Sequence, residues 1–139
     1  MTRLPELLAP AGDLDRLQAA VLYGADAVYL GGAEGNLRAR AGNFSRDELS
    51  HALAFAREKN TKVYYCLNAL PLEKDMPRIR ERLERFASSP PENHPHAFII
   101  ADPGVLRLAR ELVPEIPIHL STQANTGNSQ AAAFWKDQG

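Results

Sequence analysis

The sequence has one cysteine, Cys66, among 139 residues. A single thiol excludes a disulfide framework within the chain. It equally excludes a zinc or iron–sulfur site built only from this chain's cysteines. No apolar run approaches the ~18 residues of a membrane span. The opening Met-Thr-Arg-Leu-Pro-Glu is followed by no apolar h-region, so it does not read as a signal peptide. These absences point to the cytoplasm and away from any membrane. Charge of one sign is also lacking. Sixteen Lys and Arg against 17 Asp and Glu leave a net charge of −1, which is no nucleic-acid signature. Lysine is scarce, with 4 against 12 arginines. Arginine's planar fork suits carboxylates and phosphates, although Arg78, Arg80, Arg82 and Arg85 read as a solvated helix face.

What is present is ordinary globular material, 45% hydrophobic and 24% charged. A 15.3 kDa chain that folds compactly exposes about 7,100 Å² of the roughly 22,000 Å² available when extended. One core fits that size and two full domains do not.

Short apolar runs alternate with longer amphipathic stretches. The first run, Glu6 to Ala9, stops at Pro10-Ala11-Gly12. Asp13 then caps a helix striped by Leu14, Leu17 and Val21, which Gly24 ends. The second run, Ala27 to Leu30, stops at Gly31-Gly32. Ser45-Arg46-Asp47-Glu48 has the form of a capping box before a helix striped by Leu49, Ala52, Leu53 and Ala56. The third run, Lys62 to Leu70, is rich in β-formers; Met76, Ile79, Leu83 and Phe86 stripe the helix that follows. The proline-rich stretch from Ser88 to Pro95 is a loop. The fourth run is Ala97 to Ala101, with Asp102 as cap and Pro103 at the first helical position. The fifth is Ile118 to Ser121, and a last short helix contains Phe134 and Trp135. About five βα units result, an α/β pattern with a parallel sheet. An open doubly wound sheet and part of an eight-fold TIM-type barrel both accommodate it.

In both architectures chemistry gathers at the carboxyl ends of the strands. The sequence places Asn68, Asp102, Ser121, Gln123 and Asn125 there, with Arg38, Arg40 and Asn43 in the long segment after the second strand. Cys66 and Asn68 share one strand face, as do His119, Ser121 and Gln123 if the fifth strand stays extended that far. Polar groups recurring on buried strands require partners, because an unpaired one costs about 1–3 kcal/mol, and a solvated or ligand-filled pocket supplies them. Arg38 and Arg40 form a candidate clamp for an anionic group. His119 and Ser121 are a candidate base and nucleophile, although same-face strand neighbours stand about 7 Å apart. Cys66 reads as a buried small hydrophobe. The glycines between Gly31 and Gly42 fit neither phosphate-binding fingerprint.

Several segments resemble the peptidase U32 family, also called collagenase-like proteases. They are Pro5-Glu6-Leu7-Leu8-Ala9-Pro10-Ala11-Gly12, Gly24-Ala25-Asp26-Ala27-Val28-Tyr29-Leu30-Gly31-Gly32, Leu37-Arg38-Ala39-Arg40-Ala41-Gly42-Asn43-Phe44, Val63-Tyr64 with Leu67-Asn68, Asp102-Pro103-Gly104 and His119-Leu120-Ser121-Thr122-Gln123-Ala124-Asn125. The resemblance implies a TIM-barrel-like domain, of which residues 1–139 are the N-terminal part, as a fragment or truncation. It implies proteolysis by name. For other members it implies hydroxylation of RNA bases or small aromatic precursors with an iron–sulfur cluster. That cluster is expected only in the full-length protein, on residues missing here, with no cofactor and no metal ligand in this chain. The positions carried over for substrate binding are Glu6, Arg38, Arg40, Asn43, Asn68, Asp102, Gln123 and Asn125, with His119 and Ser121 for catalysis. Arg38 or Arg40 is the expected partner of Glu6. Substrates of three kinds stay open: peptide, RNA or a small molecule. The alternatives to a hydroxylase are a genuine peptidase and a non-catalytic truncated subunit that self-associates through exposed strand edges.

Overall fold

The computed structural model describes residues 4–32, 35–36 and 43–139. Five strands alternate with five helices: β1 (Leu8–Pro10), α1 (Leu14–Leu22), β2 (Ala27–Leu30), α2 (Arg46–Glu58), β3 (Lys62–Leu67), α3 (Met76–Ala87), β4 (Ala97–Ile100), α4 (Pro103–Leu112), β5 (Ile118–Leu120) and α5 (Ser129–Asp137). The helix starts follow the sequence signals. Asp13 accepts from the Arg16 N–H at 2.8 Å, Ser45 and Glu48 form the reciprocal capping box, and Asp102 accepts from the Val105 N–H at 2.9 Å. Each satisfies a backbone donor that has no partner inside the helix.

All the strands are parallel and stand in the order β1-β2-β3-β4-β5. This order decides between the two architectures. A doubly wound sheet reverses its strand order at a switch point and carries helices on both faces. Here the order never reverses. Val28, Leu30, Val63, Tyr65, Leu67, Phe98 and Ile100 join Leu17, Leu53, Leu83 and Val105 of α1–α4 in one core. Among the described residues the other face holds a small cluster, Ala27, Tyr64 and Ala97, packed with Tyr29 and Ile99. Helices on one face and strands in sequence are the arrangement of a barrel wall, here an open arc. The exposed surface is 8770 Å² against about 7,100 Å² for a compact protein of this mass.

Four strands differ in extent from the sequence reading, β4 by one residue, ending at Ile100 rather than Ala101. β1 begins at Leu8, two residues later than Glu6, and includes Pro10. Proline is admitted because β1 is an edge strand with no second neighbour needing its N–H. β3 ends at Leu67 rather than Leu70, because Ala69 leaves the ladder and donates to the Gly35 carbonyl at 2.9 Å. β5 ends at Leu120, and Thr122–Ala124 coil into a 3₁₀ turn. The alternation that would place Gln123 on the face of His119 and Ser121 therefore stops before it. Among the described residues no helix is long and apolar enough to cross a membrane.

Candidate functional site

Strand alternation gives the inner face its side chains: Lys62, Tyr64 and Cys66 from β3, Ala97 and Ile99 from β4, and His119 from β5. Polar residues collect at its two ends, and the two groups differ in chemistry.

The carboxyl-end group is neutral. Ser121 follows β5 directly and is buried. Its hydroxyl donates to Gln123 Oε1, which the 3₁₀ turn folds back toward it. Asn68, one residue past β3, donates from Nδ2 to Ser121 Oγ at 3.4 Å. Two strands that are not neighbours, β3 and β5, are thus joined across the end of β4. Beside them lies a cleft of about 330 Å³ lined by Leu120, Ser121, Thr122, Asn125, Thr126 and Gly127. Asn125 closes the turn in the left-handed conformation at φ 55°, which asparagine tolerates better than most residues.

The other candidates fall in different places. Asp102 spends one carboxylate oxygen capping α4. Asn43 accepts from Asn36 Nδ2 at 3.3 Å next to Phe44, whose N–H bonds the Gly31 carbonyl at 3.1 Å, so both ends of the long connection meet near β2. Arg38 and Arg40 lie outside the described residues. His119 makes no hydrogen bond with Ser121; its ring stands edge-on to Tyr64 with centroids 4.6 Å apart.

That contact belongs to the amino-end group, which is charged. Glu6 pairs with Lys62 Nζ at 2.5 Å and accepts from the Tyr64 hydroxyl. Glu6 therefore lies at the opposite end from Asn68 and Ser121, with Lys62 and Tyr64 as partners; the arginines expected beside it, Arg38 and Arg40, fall outside the described residues. Lys62 and Tyr64 were missed, although the alternation that pairs Cys66 with Asn68 extends back to them. The hydrogen bonds from Lys62 and then Tyr64 hold the Glu6 carboxyl below its ordinary range. Burial, followed by the Glu6 hydrogen bond and charge, pushes the Tyr64 phenol up to about 12. Burial and then the charges of Arg57 and Lys62 push the nearby His96 imidazole down, in keeping with its Nδ1 accepting from the Val63 N–H at 3.1 Å.

These shifts carry a pH dependence of stability. The Tyr64 value is raised on folding, so its contribution is complete below pH about 10 and is lost as pH rises toward about 12. The Glu6 value is lowered, so its contribution is present above the ordinary 4.5 and is lost as pH falls below that. Urea unfolding across this range should show both arms, and Tyr64→Phe should flatten the alkaline one. An equally steep alkaline arm in Tyr64→Phe would assign it to other groups.

The donor set does not fit a metal cluster. Iron–sulfur clusters are held by several cysteine thiolates, whereas the one cysteine here is 5% exposed within the sheet. Among the described residues no group of three or more His, Cys, Asp or Glu is placed to hold a metal ion.

An arc of barrel wall with polar residues at the carboxyl ends of its strands defines an α/β protein of the TIM-barrel-like class. The model of peptidase family U32 matches residues 12–139, and the chain belongs to that family. It is 38% identical over its whole length to tRNA hydroxylation protein P1 of Bacillus subtilis, covering 32% of that protein. It is 32% identical to 23S rRNA 5-hydroxycytidine C2501 synthase of Escherichia coli, with 96% of this chain covering 19% of that one. The chain thus spans about a third or less of the length of these relatives. Among solved structures it resembles that of the U32 peptidase Mk0906, with a TM-score of 0.66 and 14% identity over 100% of this chain and 58% of that one, a likeness of fold.

Proposed function

We infer that the chain forms part of a cytoplasmic enzyme that hydroxylates a base in RNA, with the carboxyl end of the sheet facing the substrate. The names of two relatives, one acting on tRNA and one on rRNA, support the reaction class. The observation that carries the reading here is the commitment of the Ser121 hydroxyl. It donates to an amide oxygen and accepts from another amide. A serine peptidase needs that proton directed at a base, and the imidazole of His119 is turned to Tyr64 instead. Amide and hydroxyl groups at a strand end suit the hydrogen-bonding edge of a base. A net charge of −1 leaves little phosphate attraction, so base contacts fall to neutral groups. Iron–sulfur chemistry stays with the full-length protein in this proposal, and no step is routed through it on these residues.

Disrupting the gene should remove a hydroxylated nucleoside from tRNA or rRNA digests, as measured by mass spectrometry, and the wild-type gene should restore it. Unchanged nucleosides, together with casein or gelatin cleavage that Ser121→Ala abolishes, would replace this reading with the peptidase one.

We further propose that copies of this chain associate through the sheet edges. Among the described residues β1 and β5 each pair on one side only, and Leu7 just before β1 and Leu8 at its start are 57% and 44% exposed. Open edges with apolar flanks favour pairing. Light scattering should report dimers or larger species of the 139-residue chain; a monodisperse monomer at high concentration would exclude the contact.

A further inference from the structure

The hydrogen bonds at the carboxyl end have a direction. Asn68 Nδ2 donates to Ser121 Oγ at 3.4 Å, and Ser121 Oγ donates to Gln123 Oε1. A hydroxyl has one proton to give. Because that proton goes to Gln123, the Gln123 carbonyl is turned inward and its Nε2 amide group is turned outward. Gln123 is an exposed residue, and Ser121, the group that fixes its orientation, is 7% exposed. A solvent-facing glutamine ordinarily samples both amide orientations and many rotamers. Here a buried hydroxyl, itself held by Asn68, selects one.

We propose that Gln123 is the specificity-determining residue for the RNA substrate, presenting its Nε2 donor to an acceptor of the target base, a pyrimidine carbonyl or ring nitrogen, while Ser121 acts as its positioning residue. This rests on the RNA-hydroxylase reading above and adds the group that reads the base. Donors and acceptors are not interchangeable in such a site. A substrate acceptor facing a second acceptor is rejected strongly, because both groups lose their water without gaining a bond.

The test uses the gene-disrupted strain complemented with the whole gene, with hydroxylated nucleoside per RNA as the readout. Gln123→Glu keeps an acceptor for the Ser121 proton but replaces the outward donor with a carboxylate oxygen. It should lower the hydroxylated fraction by about tenfold or more, as should Gln123→Ala, while the purified protein melts as wild type does. Ser121→Ala should lower the fraction by a few fold, and Ser121→Thr, which retains the hydroxyl, should recover most of it. Full hydroxylation by Gln123→Glu would overturn the assignment while leaving the RNA reading intact, as would equal loss in Ser121→Ala and Ser121→Thr. Failure of the wild-type gene to restore any hydroxylated nucleoside would overturn both.

Discussion

Replacing Phe98 by alanine is expected to lower the unfolding free energy by about 3–5 kcal/mol. Phe98 sits in β4 and is 0% exposed. Its ring meets Phe86 at 5.5 Å and Tyr65 at 6.4 Å between centroids, and those two rings meet at 5.3 Å. All three contacts are edge-to-face, the arrangement that aromatic quadrupoles favour. Truncating one member leaves a cavity that the other two cannot fill, because each is anchored in its own element, β3 or α3. Domains of this size are typically stable by about 5–15 kcal/mol, so the variant should lose a large share of its stability. Ile99 is its chain neighbour on the inner face and is only partly buried. Ile99→Ala should cost about 1 kcal/mol, in proportion to the smaller area removed from water. Urea titration followed by circular dichroism would measure both. Equal losses at the two positions would mean that the inner face is covered in solution.

The contrast between Phe98 and Ile99 also marks what was legible in the sequence. Helix starts could be read residue by residue, because Asp13, Ser45 with Glu48, and Asp102 act within one turn of chain. Strand identity followed from apolar runs, but strand ends did not. The end of β3 depends on a bond from Ala69 to Gly35, and the end of β5 on a turn that begins at Ser121. Pro10 looked like a terminator because its edge position is a property of the whole sheet. The choice between a barrel arc and a doubly wound sheet was likewise fixed only by strand order, to which each βα unit alone is indifferent.

The site divides in the same way. Asn68, Ser121 and Gln123 were each visible as polar groups near strand ends, and the structure joins all three. The expected route was wrong for Gln123, which arrives by a turn and not by alternation. Glu6 also has a partner the sequence did not suggest, Lys62 from 56 residues away. Register across three strands brings that pair together, and no local pattern encodes it. The result separates one presumed binding surface into two. The charged group at the amino end ties the segment before β1 to β3, and the neutral group at the carboxyl end ties β3 to β5.

Gly32→Ala is expected to cost about 2–3 kcal/mol, and Tyr65→Phe in the same chain to recover much of it. Gly32 follows β2 and bridges to Phe44, so it fixes where the long connection leaves the carboxyl end of the sheet. A methyl group there would fall well inside van der Waals contact with the Tyr65 hydroxyl and would stand 3.5 Å from Arg82 Nη2. The Tyr65 ring is 0% exposed and lies against Phe86 and Phe98, so it cannot retreat without disturbing the aromatic group. Overpacking of that kind typically costs about 1–3 kcal/mol. Removing the Tyr65 hydroxyl opens the space the methyl needs. Tyr65→Phe alone should cost about 1 kcal/mol, the ordinary loss of a buried hydroxyl's interactions. The double variant should then be more stable than the sum of the single effects implies, by roughly 1–2 kcal/mol of coupling. Denaturant midpoints of the four proteins close the cycle. Additive losses would show that the backbone at Gly32 yields before the ring does, and that the connection is not fixed at Tyr65.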